Sequence, residues 1–323
     1  MEEADLLLAL PALKNRRYAT SATAYREAHA AGEPLLPMFP PPLLPSSAAR
    51  RPLPSTCAAP FLTRAVGSLP RGVPDDADEL LGLYFSGATR KPPNLDVNFE
   101  NVELSSMGAA RRAIAAAAAA DAPLWWATLH VPDLEHPPWW PRRAAVVPDF
   151  EQLIVGAGRS GIGMHRDRFV EGEKERLVST YLTLGRGIKH VVLLPPAATA
   201  LAEELGGDSC DTAYGRTTSQ RRELPPSPPP EVLERVMEAG GFWFDLCETT
   251  VPGAASEGEE GAGSDDDSDE EEEAALCMFI PAGWYHWLAA DAAWHVAWSG
   301  SFFPEAESRG SDRPKPTGSR RRK

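Results

Sequence analysis

Two imidazoles and a carboxylate set the chemistry this chain can do. Gly161-Ile-Gly-Met-His165-Arg-Asp167-Arg-Phe169 carries a His-x-Asp pair, and Phe279-Ile-Pro-Ala-Gly-Trp-Tyr-His286-Trp brings a second histidine much later. If His165 and Asp167 lie on one strand, their side chains leave the same face, because strand side chains alternate with period 2. A histidine from a distant strand completes the set. Two imidazoles and one carboxylate can take three facial positions of an octahedral metal and leave the others open, which is the ligand set of non-heme Fe(II) oxygenases. His165, Asp167 and His286 are therefore the candidate metal ligands and catalytic residues.

Lys189 is the next residue with chemistry to offer. In Ile188-Lys-His-Val-Val-Leu-Leu194 it shares a face with Val191 and Leu193, while Ile188, His190 and Val192 take the other. Both faces are largely apolar, so the strand is expected to be buried on at least one side. A buried lysine needs an anion or gives up its proton more readily. Beside a metal, the natural anion is a ligand carboxylate; the alternative is a lysine that snorkels to solvent from the strand end. Among the other histidines, His295 competes with His286 for the metal but reads as a core residue. His190 reads as structural, and His130 and His136, beside a proline-rich turn, read as loop residues. Trp125, Trp126, Trp139, Trp140 and Trp284 read as packing.

Strands must position these groups. From Phe150 onward the chain becomes short apolar segments divided by Gly and Pro, the mark of an all-β sandwich or barrel. Strands are expected at 151–155, around His165, and at 178–184, 188–194, 242–246, 276–280 and 294–303. Leu124 to Val131 reads as a further strand. Helices are expected over 5–13, 22–31, 76–83, 104–120 and, behind a proline start, 228–240.

The totals bound the rest. The 323 residues, 43% apolar, suffice for one large domain, while 32 prolines are about twice the usual share and mark irregular flanks. Net charge is −14, but eleven acids lie between Glu257 and Glu273, and removing them leaves −3. No nucleic-acid footprint follows from that balance. Cys57, Cys210, Cys247 and Cys277 form no CxxC pair, which suits reduced thiols. Acids at the N-terminus argue against a signal or transit peptide, and no apolar run reaches the length of a membrane span. A nuclear or cytoplasmic protein without membrane contact is expected. Residues 1–75 read as a proline-rich, partly disordered extension, loosely docked or acting as a linker. The domain covers 76–305, interrupted by an acidic insertion at 252–273 expected to be disordered. A basic tail spans 306–323. The acidic loop and the tail are candidate contact segments.

His165-x-Asp167, the run from Thr180 through Lys189 to Pro195-Pro196, and Phe279 to Trp287 occur in an order that resembles the cupin-like JmjC family of Fe(II)- and 2-oxoglutarate-dependent oxygenases. The resemblance covers roughly Leu124 to Phe303. It implies a mainly β domain with flanking helices, a double-stranded β-helix (jelly roll) with iron held between its sheets by His165, Asp167 and His286. It also implies that Lys189 pairs with the distal carboxylate of 2-oxoglutarate. Thr180 and Ser301 fall where the family often has a polar residue, commonly Asn, near the cosubstrate. Three departures stand out. Ile162 replaces a frequent threonine, the stretch 168–179 is longer and more charged than usual, and an acidic insertion precedes the His286 strand. The implied activity is hydroxylation of a protein side chain. N-methyl removal and RNA hydroxylation, the latter unsupported by charge, stay open. So do a non-redox metal-binding cupin and a catalytically inactive scaffold.

Overall fold

The computed structural model describes residues 16–44, 57–64, 94–97, 100–103, 112, 116, 124–129, 137, 139–140, 145–147, 152–157, 161–171, 174–206, 224–247, 276–291 and 295–304. The expected helices at 5–13 and 76–83, most of the one at 104–120, the acidic loop, the basic tail, His130 and His136 lie outside the described residues.

In chain order the strands are β1 (Tyr18–Ala19), β2 (Leu36–Pro37), β3 (Phe61–Arg64), β4 (Asn94–Val97), β5 (Glu100–Glu103), β6 (Leu124–Leu129), β7 (Ala145–Val146), β8 (Gln152–Ala157) and β9 (Gly161–His165). They continue as β10 (Arg168–Glu171), β11 (Lys174–Leu177), β12 (Ser179–Arg186), β13 (Lys189–Leu194), β14 (Phe242–Leu246), β15 (Leu276–Ile280), β16 (Tyr285–Ala290) and β17 (His295–Phe303). Among the described residues they are joined by α1 (Ala22–Ala30), α2 (Thr199–Gly206) and α3 (Pro230–Glu238). The protein is mainly β, as expected, with every neighbour pair in its two larger sheets antiparallel. The large sheet runs β3-β15-β12-β17-β8-β6-β4-β5, with β7 also on β17, and the small sheet runs β14-β13-β16-β9.

Alternation along β13 explains how three layers form. Val191 and Leu193 point between the sheets, where they join Phe244 and Leu246 of β14 and Leu182, Met278, Ile280 and Ala297 of the large sheet. Val192 and Leu194 point the other way and meet Tyr25 of α1, Ala202 and Leu205 of α2, and Leu233 and Val236 of α3. The helices thus cover the outer face of the small sheet. A Ser21 cap starts α1, its hydroxyl accepting from Ala24 N at 3.2 Å. Proline at its first turn starts α3, and its apolar residues recur at helical spacing on the buried face. An aromatic cluster of Phe61, Trp139, Tyr181, Phe279, Trp298 and Phe302 lies along the large sheet.

The stretch expected to be a loosely docked extension is, in its described residues, part of this body. Strand β3 extends the large sheet by pairing with β15, and Tyr25, Phe61 and Leu62 are buried. The prolines that argue against packed structure still offer carbonyls, and Leu62 N donates to Pro42 O at 2.9 Å. Strand β3 lies at a sheet edge, where pairing on one side is enough. Helix α2, for which no expectation was formed, follows Pro195-Pro196 directly and packs on β9. Among the described residues no helix is long and apolar enough to cross a membrane.

Close approach of β9 to β16 requires glycine at 161. A Cβ there would meet Leu288 O at 2.3 Å and Ala289 Cα at 2.8 Å, both backbone atoms that cannot move aside alone. Gly161→Ala is expected to lower stability by roughly 1–3 kcal/mol, the usual cost of overpacking. Urea unfolding would register it as a lower midpoint with an unchanged slope.

Candidate metal centre

Strands β9 and β16 are neighbours, and His165 stands directly opposite His286 in their register. Opposed residues of an antiparallel pair share a face, so the two rings come together at 4.1 Å between centroids, tilted by 58°. A tight turn delivers His286. Trp284 N donates to Pro281 O at 3.2 Å, and Gly283 sits third in that turn at φ +84°, the left-handed value that such a position demands.

Asp167 reaches the site by a different route from the one its spacing suggests. Strand β9 ends at His165, and Arg166 and Asp167 lie in the connection to β10. Period-2 alternation therefore does not place the carboxylate. The chain leaves the small sheet here, because β10 pairs only with β11 among the described residues. The start of β12 and the residue before it hold the connection instead. Val178 N donates to Asp167 O at 3.2 Å, and Thr180 Oγ1 donates to Asp167 Oδ2 at 2.5 Å. The other oxygen, Oδ1, lies 3.5 Å from His165 Nε2 and 3.7 Å from His286 Nε2. Across the three residues, one donor atom each falls within 4.8 Å of the others, so the triad His165, Asp167, His286 can hold a metal ion.

Both rings are held from behind. His165 Nδ1 lies 2.7 Å from Gly163 O and His286 Nδ1 lies 3.3 Å from Trp284 O. A carbonyl can only accept, so each Nδ1 donates to it and each Nε2 is left facing Asp167. Burial, then the neighbouring His165, pushes His286 down to about 4, which keeps its imidazole neutral at ordinary pH. For Asp167 burial acts upward, but facing His286, hydrogen bonding at His165 and the Thr180 hydroxyl outweigh it and hold the carboxyl well below its usual range. The site thus brings an ionised carboxylate and two imidazole nitrogens to one point, the donor set a divalent cation requires.

The remaining sequence candidates divide. Lys189 is buried between the sheets, 5% exposed, and makes no hydrogen bond or ion pair with the described residues. Its face is that of His286, because Leu193, two alternations on, is the register partner of His286. Four residues of strand put it roughly 13 Å along from that level. Burial alone pushes the amine down to about 7. Thr180 and Ser301 are register partners on β12 and β17, with hydroxyl oxygens 2.8 Å apart. Of the two, Thr180 stands against Asp167. His295 is buried at the start of β17, close enough to Lys189 for that charge to help burial push it far down, and is no part of the triad. His190 faces away, with Nδ1 2.6 Å from Asp245 Oδ1 and Nε2 3.5 Å from Asp291 Oδ1. Burial opposes its charge, but these carboxylates lift it to about 9, so its role is structural. Trp139 is fully buried and Trp284 donates to Ala58 O at 3.0 Å, both in packing roles.

Two contributors carried no sequence signal. Ser179 Oγ accepts from Ala282 N at 3.0 Å, which ties the start of β12 to the turn before His286. Arg166 lies over the Tyr285 ring, 4.9 Å from its centroid. A serine beside a threonine and an arginine inside His-x-Asp look like any others until the strands are paired.

Lys189 makes stability depend on pH with a definite sign. The unfolded lysine keeps its proton to about 10.5 and the folded one only to about 7. Between those values the unfolded lysine binds more protons, so its contribution to stability rises with pH, by up to roughly 1.4 kcal/mol per pH unit. Below pH 7 both forms are protonated and the full cost of burying the charge remains. Over the same window His190, which keeps its proton to about 9 in the folded chain, contributes a fall of similar slope. In thermal unfolding of metal-free protein from pH 7 to 9, the wild type should therefore stay nearly level while Lys189→Met loses stability as pH rises. A scan against protein-family models finds no match for this chain, and a search of the curated proteins finds no matching relative.

Proposed function

We propose that this protein is an Fe(II)- and 2-oxoglutarate-dependent dioxygenase that hydroxylates a side chain of a protein substrate. One observation carries the reading: two histidine Nε2 atoms and one carboxylate converge, each side chain held by a hydrogen bond at its other polar atom. Three ligands on one side of an ion leave positions for a chelating cosubstrate and for dioxygen, a requirement that closed four-ligand structural sites do not meet. The residues fit the group. His165, Asp167 and His286 would hold the iron.

Lys189 supports the choice of cosubstrate. A buried amine without an anionic partner among the described residues, on the face that carries His286, suits a ligand with a carboxylate at each end. One end would chelate the metal and the other would meet Lys189. The order of strands supports the fold reading. Leaving the β10–β11 hairpin aside, β8, β17, β12 and β15 are neighbours in one sheet and β9, β16, β13 and β14 in the other. We read this as a double-stranded β-helix of the JmjC type.

Bound there, iron with 2-oxoglutarate supplies oxidising power to place one oxygen atom of dioxygen on a C–H bond, with carbon dioxide and succinate as co-products. The chain's own residues orient and protect. The backed histidines aim their nitrogens, Thr180 fixes Asp167, Lys189 anchors the far carboxylate, and the apolar layer of Leu182, Leu184 and Val191 keeps water out. A protein substrate fits the near-neutral charge outside the acidic stretch better than a polyanion does.

Purified protein with Fe(II), 2-oxoglutarate, ascorbate and oxygen should release succinate slowly even without substrate. Asp167→Ala should abolish that turnover, a loss of at least roughly a hundredfold. Lys189→Met should raise the KM for 2-oxoglutarate at least about tenfold, one charge-assisted contact's worth, while metal binding stays intact. Metal uptake without 2-oxoglutarate binding in the wild type would overturn the oxygenase in favour of a non-redox cupin.

A further inference from the structure

We propose that Thr180 and Ser301 form a hydroxyl relay that holds Asp167 Oδ2 away from the metal, so that the carboxylate binds through Oδ1 alone. This rests on the metal centre proposed above and assigns its geometry to two named side chains. The two oxygens of Asp167 have different surroundings. Oδ1 faces both imidazole nitrogens, at 3.5 and 3.7 Å, whereas Oδ2 receives the Thr180 hydroxyl at 2.5 Å.

Proton accounting gives the relay its direction. An ionised carboxylate has no proton, so Thr180 must donate to it, and a hydroxyl has only one proton. In the 2.8 Å contact with Ser301 Oγ, Thr180 Oγ1 must then accept. The chain runs from Ser301 O–H to Thr180 O–H to Oδ2. Ser301 is 1% exposed, so water does not compete at that end. A short O–H···O⁻ bond of this kind is among the stronger hydrogen bonds.

Strand pairing makes the relay rigid. Thr180 and Ser301 are opposed across β12 and β17 near the middle of the large sheet. Two residues back, Val178 N holds the Asp167 carbonyl, and one residue back, Ser179 Oγ holds the turn before His286. Three consecutive residues therefore set the carboxylate against both imidazoles. Were Oδ2 free to swing, it could take a second position on the ion, one that the cosubstrate or oxygen needs. This role differs from the cosubstrate contact that the family resemblance implies for the same two residues, because the single proton of Thr180 is committed to Asp167.

Co(II) binding tests it, followed by calorimetry and by the visible absorption of the ion in the full chain. Thr180→Val removes the hydroxyl at nearly constant volume and is expected to weaken Co(II) binding by roughly ten- to a hundredfold, with a changed absorption band as Oδ2 joins the ion. Thr180→Ser restores the donor and should return affinity to within about threefold of wild type. Ser301→Ala should give a smaller loss of several-fold and carries the test if Thr180→Val fails to fold, as judged by circular dichroism. Wild-type affinity and spectrum in both hydroxyl-deleted variants would overturn the relay, including where the KM for 2-oxoglutarate rises instead. No Co(II) uptake by the wild type would overturn the metal centre itself, a result distinct from loss of the relay alone.

Discussion

The register that sets His165 against His286 is the constraint on which the site depends. It holds only because β9 and β16 approach closely, which Gly161 permits. One residue of slip would turn one imidazole to the helix-covered face and leave the other behind. Both rings also borrow carbonyls two residues back in the chain, from Gly163 of β9 and from Trp284 at the end of the turn, so pairing and ring orientation are set by the same local backbone. The metal-binding potential of the chain is in this sense a property of two strand ends and one turn.

Adjacent residues on β13 show how one strand serves two purposes. Lys189 points between the sheets and His190 points outward, where Asp245 and Asp291 await it. Arg16 reaches the same two aspartates and Tyr18 OH donates to Asp245 at 3.0 Å. The outer group is thus a compensated network that ties the first described residues to the small sheet. Buried charge is tolerable there because each member has a partner. Lys189 has none among the described residues, and burial lowers its pKa instead. The contrast is between a neutralised group outside and, inside, a buried amine that has no such partner among the described residues.

Helices and hairpins play supporting parts. Three helices shield the outer face of the small sheet, so the strands bearing both histidines and Lys189 can be apolar on that side. The β10–β11 hairpin leaves the sheet immediately after Asp167 and is pinned back by Phe169 and Arg176 against Phe303. That departure lets the Asp167 carboxylate turn inward while the chain itself moves out.

Local patterns were readable in the amino-acid order. The triad residues, the buried Lys189 and most strands from 124 onward follow from residue type, alternation and glycine or proline punctuation, all of which act within a few residues. Helices α1 and α3 follow from capping and apolar spacing. Other features depend on contacts far apart in the chain and leave no local trace. Strand β3 joins the sheet through β15, more than two hundred residues away. Asp167 is placed by β12 rather than by its own strand, so the period-2 argument named the right carboxylate for a reason that the fold does not use. Thr180 and Ser301 meet only because β12 and β17 are neighbours. Chemical identity is written in the sequence, whereas which oxygen of Asp167 faces the imidazoles is decided by tertiary pairing, since only there do hydroxyl, carboxylate and imidazole come within bonding distance.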